Sequence, residues 1–173
     1  NMQSGAGYIR ISPYFTGTMP KIKVLYQTKS TLDSGANKDA TWQYIGAPGA
    51  DCSIYVDHNT WLYLMDEKTK DGWVLQDRNA SVALQPFAGY AITQYGQPTY
   101  EWTAQLTNAN DTLPLTYTKG GRSGRHIFAN SYTAPIDIKA LDGQITGDEE
   151  RFRIEKTIYI FNSGSWNQWN NAS

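Results

Sequence analysis

Thr60-Trp-Leu-Tyr-Leu-Met65 alternates aromatic and aliphatic side chains at every second position. Successive side chains of an extended strand point to opposite faces. Trp61 and Tyr63 therefore share one face, and Leu62 and Leu64 the other. Both faces cannot be open to water. If the leucines make the core, the two rings lie outside and form a stacking platform. The stretch reads as a strand in a packed sheet, and its period of two sets the template for the rest of the chain.

The same period recurs in both directions. Tyr8-Ile-Arg-Ile-Ser12, Lys21-Ile-Lys-Val-Leu-Tyr-Gln27, Thr41-Trp-Gln-Tyr-Ile-Gly46 and Ser53-Ile-Tyr-Val-Asp57 precede it. Gly72-Trp-Val-Leu-Gln76, Gly89-Tyr-Ala-Ile-Thr-Gln-Tyr95, Thr99 to Thr107, Leu113 to Thr118, His126-Ile-Phe-Ala129 and Arg151 to Phe161 follow it. β-Branched and aromatic residues fill these runs, as a half-buried pleated surface prefers. Reversal signals divide them: Asp33-Ser-Gly35, Asp57-His-Asn59, Lys70-Asp-Gly72, Asp77-Arg-Asn79 and Asn108-Ala-Asn-Asp111. About ten short strands at such spacing predict an all-β fold, an antiparallel two-sheet sandwich of jelly-roll or Greek-key type. The 173 residues read as one sandwich domain. The strands within residues 1–40 are assigned to its second sheet, and their membership of the same domain is left open. The one helical signal is Ala134-Pro-Ile-Asp-Ile-Lys-Ala-Leu-Asp-Gly143, with Pro135 at a first helical position and Gly143 beyond the end. It predicts a short helix near 135–142.

Composition narrows the function classes. Fifteen Lys+Arg against 16 Asp+Glu leave a net charge of −1. That balance argues against nucleic-acid binding, which needs clustered positive charge. No run approaches the ~18 apolar residues of a membrane helix, so no membrane insertion is expected of this segment. Charged residues are 18 % and aromatics 13 % of the chain, which excludes a coiled coil or a disordered tail. No basic stretch followed by an apolar one opens the sequence, which is expected either of a cytoplasmic chain or of one cut from a longer secreted polypeptide. Its last residues, Ser165-Trp-Asn-Gln-Trp-Asn-Asn-Ala-Ser173, suggest a strand cut from a longer secreted polypeptide.

Candidate reactive groups are few. Cys52 is the single cysteine, so no internal disulfide exists, and the alternation of Cys52-Ser-Ile-Tyr-Val56 reads as a strand with a buried thiol. With two histidines, His58 and His126, no zinc spacing is available. No cofactor is expected. Asn108 to Thr112 and Asp142 to Glu150 are acidic loops without a known calcium-loop spacing, so calcium is only a weak candidate. A glycosidase needs two carboxylates across a cleft. Asp66 with Glu67 reads as a solvated hairpin tip, Glu101 as lying on an exposed sheet face or lining a groove if that face is concave, and Asp148-Glu-Glu150 as a loop. No Gly-x-Ser-x-Gly elbow occurs. Lys119-Gly-Gly-Arg-Ser-Gly-Arg-His126 lacks the phosphate-loop pattern and reads as a hairpin loop, with an anion nest as the alternative. Ala129-Asn-Ser-Tyr-Thr-Ala-Pro-Ile-Asp-Ile138 reads as a corner stitched by polar side chains, with Asn130, Pro135 and Asp137 as its structural residues. The largest signal is aromatic. Trp61, Tyr63, Trp73 and Trp102 are the candidate ligand-binding rings, since exposed aromatic patches mark binding sites.

Four blocks resemble a domain of large secreted and surface proteins of the Bacteroidetes type. They are Trp42-Gln-Tyr-Ile-Gly-Ala-Pro48, Pro86-Phe-Ala-Gly-Tyr-Ala-Ile92, Gly124 to Asp137, and Thr157-Ile-Tyr-Ile-Phe-Asn-Ser-Gly-Ser165. The resemblance covers Thr41 to the C-terminus. Ser131 stands where the family commonly has proline, which predicts a looser corner. The resemblance implies an extracellular or outer-surface β-sandwich within a multidomain chain, and it carries no catalytic set. The expected function is a non-catalytic module for adhesion, scaffolding or display, partnered by host or neighbouring surface proteins and by other domains of the same chain. The alternative is a carbohydrate-binding module that stacks glycans on the rings. A third reading is a glycoside hydrolase or lyase on a jelly-roll scaffold.

Overall fold

A computed structural model describes residues 7–11, 21–27, 42–95, 99–107, 111–120, 124–132, 134–137, 157–162 and 165–170. Its elements are all strands: β1 (Gly7–Ile11), β2 (Lys21–Gln27), β3 (Gln43–Gly46), β4 (Cys52–Val56), β5 (Thr60–Met65), β6 (Trp73–Leu75), β7 (Ala80–Leu84), β8 (Gly89–Gln94), β9 (Thr99–Gln105), β10 (Asp111–Leu115), β11 (Thr157–Asn162) and β12 (Ser165–Asn170). Among the described residues every pairing is antiparallel, and the sheets do not close into a barrel.

One layer has the strand order β3-β8-β5-β6. The other joins the β4-β7 pair to the β2-β9 pair through a bridge between Ala50 and Gln105, where the two residues exchange backbone hydrogen bonds of 2.7 and 2.9 Å. The core lies between these layers. Ile45, Leu62, Tyr90 and Ile92 come from the first; Cys52, Ile54, Val56, Leu84, Trp102 and Ala104 come from the second. Strand β4 alternates strictly, with Cys52, Ile54 and Val56 buried and Ser53 and Tyr55 exposed. Ile22 of β2 packs against the same core, and β2 pairs with β9. Strand β1 pairs with β10, and Leu113 of β10 joins a smaller cluster of Phe87, Tyr132 and Ile136. Strands β11 and β12 form a hairpin.

Two expectations are corrected here. Pro135–Asp137 are not helical, although Pro135 and Gly143 bracket a helix-like pattern. The segment continues an irregular strap that is held by hydrogen bonds to the sheets, and tertiary contacts override the local signal. The remainder of that expected helix, 138–142, lies outside the described residues. His126 to Ala129 is not a full strand either: it makes one bridge, Phe128 to Ala88.

Close backbone approach fixes the joint between the β4-β7 and β2-β9 pairs. A Cβ on Gly49 would collide with the Gln105 carbonyl, which is rigid backbone. Gly49→Ala should therefore destabilise the protein by about 1–3 kcal/mol, the usual range for overpacking. Thermal denaturation should show a loss of several degrees; an unchanged melting temperature would contradict the packed joint.

Candidate functional site

Strand β8 is buried along its whole length, Gly89 to Gln94. Its two faces differ in side-chain size. Tyr90 and Ile92 point into the core in register with Ile45 and Leu64, and with Leu62. Gly89, Ala91 and Thr93 point outward and are small. Ala91 is flanked in register by Tyr44 on β3 and Tyr63 on β5. Larger neighbours on both sides of a row of small residues leave a trough along the outer face.

Aromatic rings line this trough. Trp42 meets Tyr63 edge-on, with ring centroids 5.5 Å apart at 70°. Tyr44 tilts against Trp73 at 6.1 Å. The two pairs and Ala91 bound a groove of about 330 Å³. On the same face, Trp61 packs edge-on against Tyr95 at 5.4 Å, and the Arg78 guanidinium sits 5.2 Å from the Trp61 ring centroid. Edge-to-face contacts of this kind contribute about 0.5–1.5 kcal/mol beyond area burial and fix ring orientation.

The strap 124–132 closes one end of the trough. Gly89 N donates to Ile127 O at 3.1 Å, and Ala129 N donates to Phe87 O at 3.0 Å. A Cβ on Gly46 would meet the Ala129 methyl, and one on Gly89 would meet the Ile127 side chain. Those two glycines exist so that the strap can lie against the sheet. Ser131 pins it: fully buried, its hydroxyl accepts from Phe87 N at 2.8 Å and donates to Ala47 O at 2.6 Å. Where a proline would supply no such bonds, this serine tightens the corner instead of loosening it. Phe87 has φ of 62°, in a turn closed by Ala88 N to Gln85 O with Pro86 at its second position. That is a type II pattern whose third residue is normally glycine. The Ser131 hydroxyl and the Tyr132 ring, 4.8 Å away, hold the phenylalanine there. Asn130 accepts from Tyr132 N and donates to Ala134 O, so its side chain serves the local turn; Pro135 and Asp137 are exposed.

Of the rings singled out from sequence, the structure brings Trp61, Tyr63 and Trp73 to this outer face. Trp102 lies elsewhere. It is 6 % exposed and belongs to the core between the layers. Glu101 and Thr103 take the exposed side of β9, which turns Trp102 and Ala104 inward. Trp42 and Tyr44 complete the groove, and their same-parity spacing in Trp42-Gln-Tyr44 was the readable sign.

Glu67 is a second correction. It is 2 % exposed, not a solvated hairpin tip. Its carboxylate accepts from the Thr116 hydroxyl at 2.6 Å, the Thr118 hydroxyl at 2.9 Å and the Thr118 amide at 3.0 Å. The Gly124 amide also bonds to it. Burial alone would raise its pKa, but these donors outweigh that and hold the carboxyl below its ordinary value. Gly124 of the glycine-rich run thus joins Thr116 and Thr118 around an anion, this chain's own Glu67, while residues 121–123 lie outside the described residues. Glu101 sits on the other layer, in an exposed ion pair with Lys23 at 2.7 Å. These two carboxylates have separate partners and do not form a pair; Asp148 to Glu150 lie outside the described residues. Burial pushes the Cys52 thiol up to about 11, so its nucleophilic thiolate is scarce at neutral pH. Among the described residues no group of three His, Cys, Asp or Glu side chains is placed to hold a metal, and no helix is long and apolar enough to cross a membrane. The acidic loop 142–150 and residues 108–110 lie outside the described residues.

Comparison with known proteins gives one relationship. The chain is 33 % identical over 141 residues to the minor fimbrium subunit Mfa5 of Porphyromonas gingivalis, a match covering 75 % of this chain and 11 % of that protein. The chain thus corresponds to a small part of that relative's length. No protein-family model matches, and no solved structure gives a significant match. The relationship is to a surface protein.

Two outcomes follow from the buried groups. Glu67 has a depressed folded pKa, so its stabilisation is present above the ordinary value of 4.5 and lost as pH falls through the lower folded value. Glu67→Gln should lower the melting temperature at neutral pH by about 4–8 °C, from about 2 kcal/mol of lost charged hydrogen bonding at this chain length. The gap should shrink in acid; a gap independent of pH would contradict the clasp. Cys52 should resist iodoacetamide in the native protein and react once guanidinium unfolds it, read by mass spectrometry; ready alkylation of the native protein would contradict its burial.

Proposed function

We propose that this chain is a non-catalytic β-sandwich module of a cell-surface protein, serving adhesion, scaffolding or display at the extracellular face. The observation that carries the reading is the 33 % identity to a minor fimbrium subunit over three quarters of the chain. The matched protein is a subunit of an assembly by its name, which supports association of this chain with other protein subunits. The physical character agrees. The fold's polar groups are spent on holding strands and strap together, as with Glu67 on Thr116 and Thr118 and Ser131 on Ala47. Such a body suits a rigid building block.

A second reading, glycan binding, is favoured by a specific observation: the aromatic groove on the outer face of the β3-β8-β5-β6 sheet. It adds a ligand to the surface module and does not compete with it.

Antibodies raised against the purified chain should label intact cells of the source organism and follow surface appendages sheared from them. Labelling only after permeabilisation would contradict the surface assignment.

A further inference from the structure

We infer that the groove over Ala91 binds a neutral, unbranched saccharide chain, which lies between the Trp42–Tyr63 and Tyr44–Trp73 ring pairs and extends toward Trp61 and Tyr95. This rests on the glycan reading of the outer face and specifies its site and ligand class.

Four features of the groove select the ligand. Among the described residues the lining is Trp42, Tyr44, Tyr63, Trp73 and Ala91, none of them charged. A neutral ligand complements that lining, whereas a charged one would lose its hydration with no opposite charge to meet it. The polar atoms of the lining are phenol hydroxyls and indole N–H groups, suited to ring hydroxyls and wasted on an acyl chain. Ring faces carry negative quadrupole charge, which attracts the polarised C–H face of a pyranose. The floor is β8, whose backbone is already in register with β3 on one side and β5 on the other. A peptide laid in the trough would therefore find no strand edge to pair with, and the loss of its own backbone hydration would go uncompensated.

The ends of the groove set direction. Ile127 and Ala129 cover the sheet at Gly89 and Gly46, so a ligand cannot continue that way. The aromatic surface continues at the other end, where Trp61 and Tyr95 pack together. The rings already hold one another, edge-to-face in Trp42–Tyr63 and tilted in Tyr44–Trp73, so less side-chain freedom is lost on binding.

The test uses intrinsic tryptophan fluorescence of the purified chain, titrated with cellohexaose, mannohexaose and laminarihexaose, and separately with a proline-rich decapeptide. At least one saccharide should shift the emission saturably and protect tryptophan from acrylamide quenching. Ala91→Leu fills the trough from its floor while keeping all four rings, and Trp73→Ala removes one wall. Each should weaken binding by about tenfold or more, as truncation of a buried aromatic anchor does. Tyr55→Ala, on the other layer and 58 % exposed, should leave it unchanged. Should both groove variants misfold by circular dichroism, quench protection in the unaltered chain still decides. No response to any of the saccharides, response to the peptide alone, or affinity that survives both folded variants would overturn the inference. Surface labelling of cells is read independently, so loss of glycan binding leaves the surface assignment intact.

Discussion

Strand β8 must be covered on both faces, and most of the rest follows from that constraint. Its inward side chains, Tyr90 and Ile92, are the centre of the core between the layers. Its outward ones are too small to shield the sheet. Gly89, Ala91 and Thr93 leave a trough that longer neighbours must roof. The protein meets this in two ways. At one end the strap drops Ile127 and Ala129 onto glycines that have no side chain to obstruct them. At the other, rings from β3, β5 and β6 lean toward each other across the gap. The groove is what remains between the two solutions.

Anchors far apart in sequence hold those covers. Ser131 reaches Ala47, 84 positions away, and at the same time supports the left-handed Phe87. Glu67, at the β5–β6 hairpin, gathers Thr116, Thr118 and Gly124 and so fixes where the strap begins. A buried carboxylate is costly unless its lone pairs are filled, and here several donors fill them. Chemistry that resembles an anion site at first sight is a structural clasp. The outer face keeps its aromatic groove, with Arg78 against Trp61 beyond it.

Much of this was legible in sequence, because strand alternation depends only on which neighbours share a face. Thr60 to Met65 divides its rings and leucines as read, and the strand Cys52 to Val56 buries Cys52, Ile54 and Val56 in alternation. The errors arose where the answer depends on distant partners. Nothing in Asp66-Glu67-Lys68 reveals that two threonines about fifty positions away will close over the carboxylate. In Tyr100-Glu-Trp102 the exposed placing of Glu101 already turns Trp102 inward, so its place among the binding rings conflicts with the alternation of its own strand. The Pro135 signal misled because it is local, and the strap is held by tertiary bonds. The trough was hidden for a related reason: small residues on β8 gain meaning only beside Tyr44 and Tyr63, which register places there.

Native-state hydrogen exchange of individual amides measures the central claim most directly. If β8 is the strand on which both layers and the strap depend, its amides open only with global unfolding. They should form the slowest-exchanging set in the molecule, well behind those of the three-residue strand β6 at the sheet's end. Exchange across Gly89 to Gln94 as fast as across Trp73 to Leu75 would contradict that dependence.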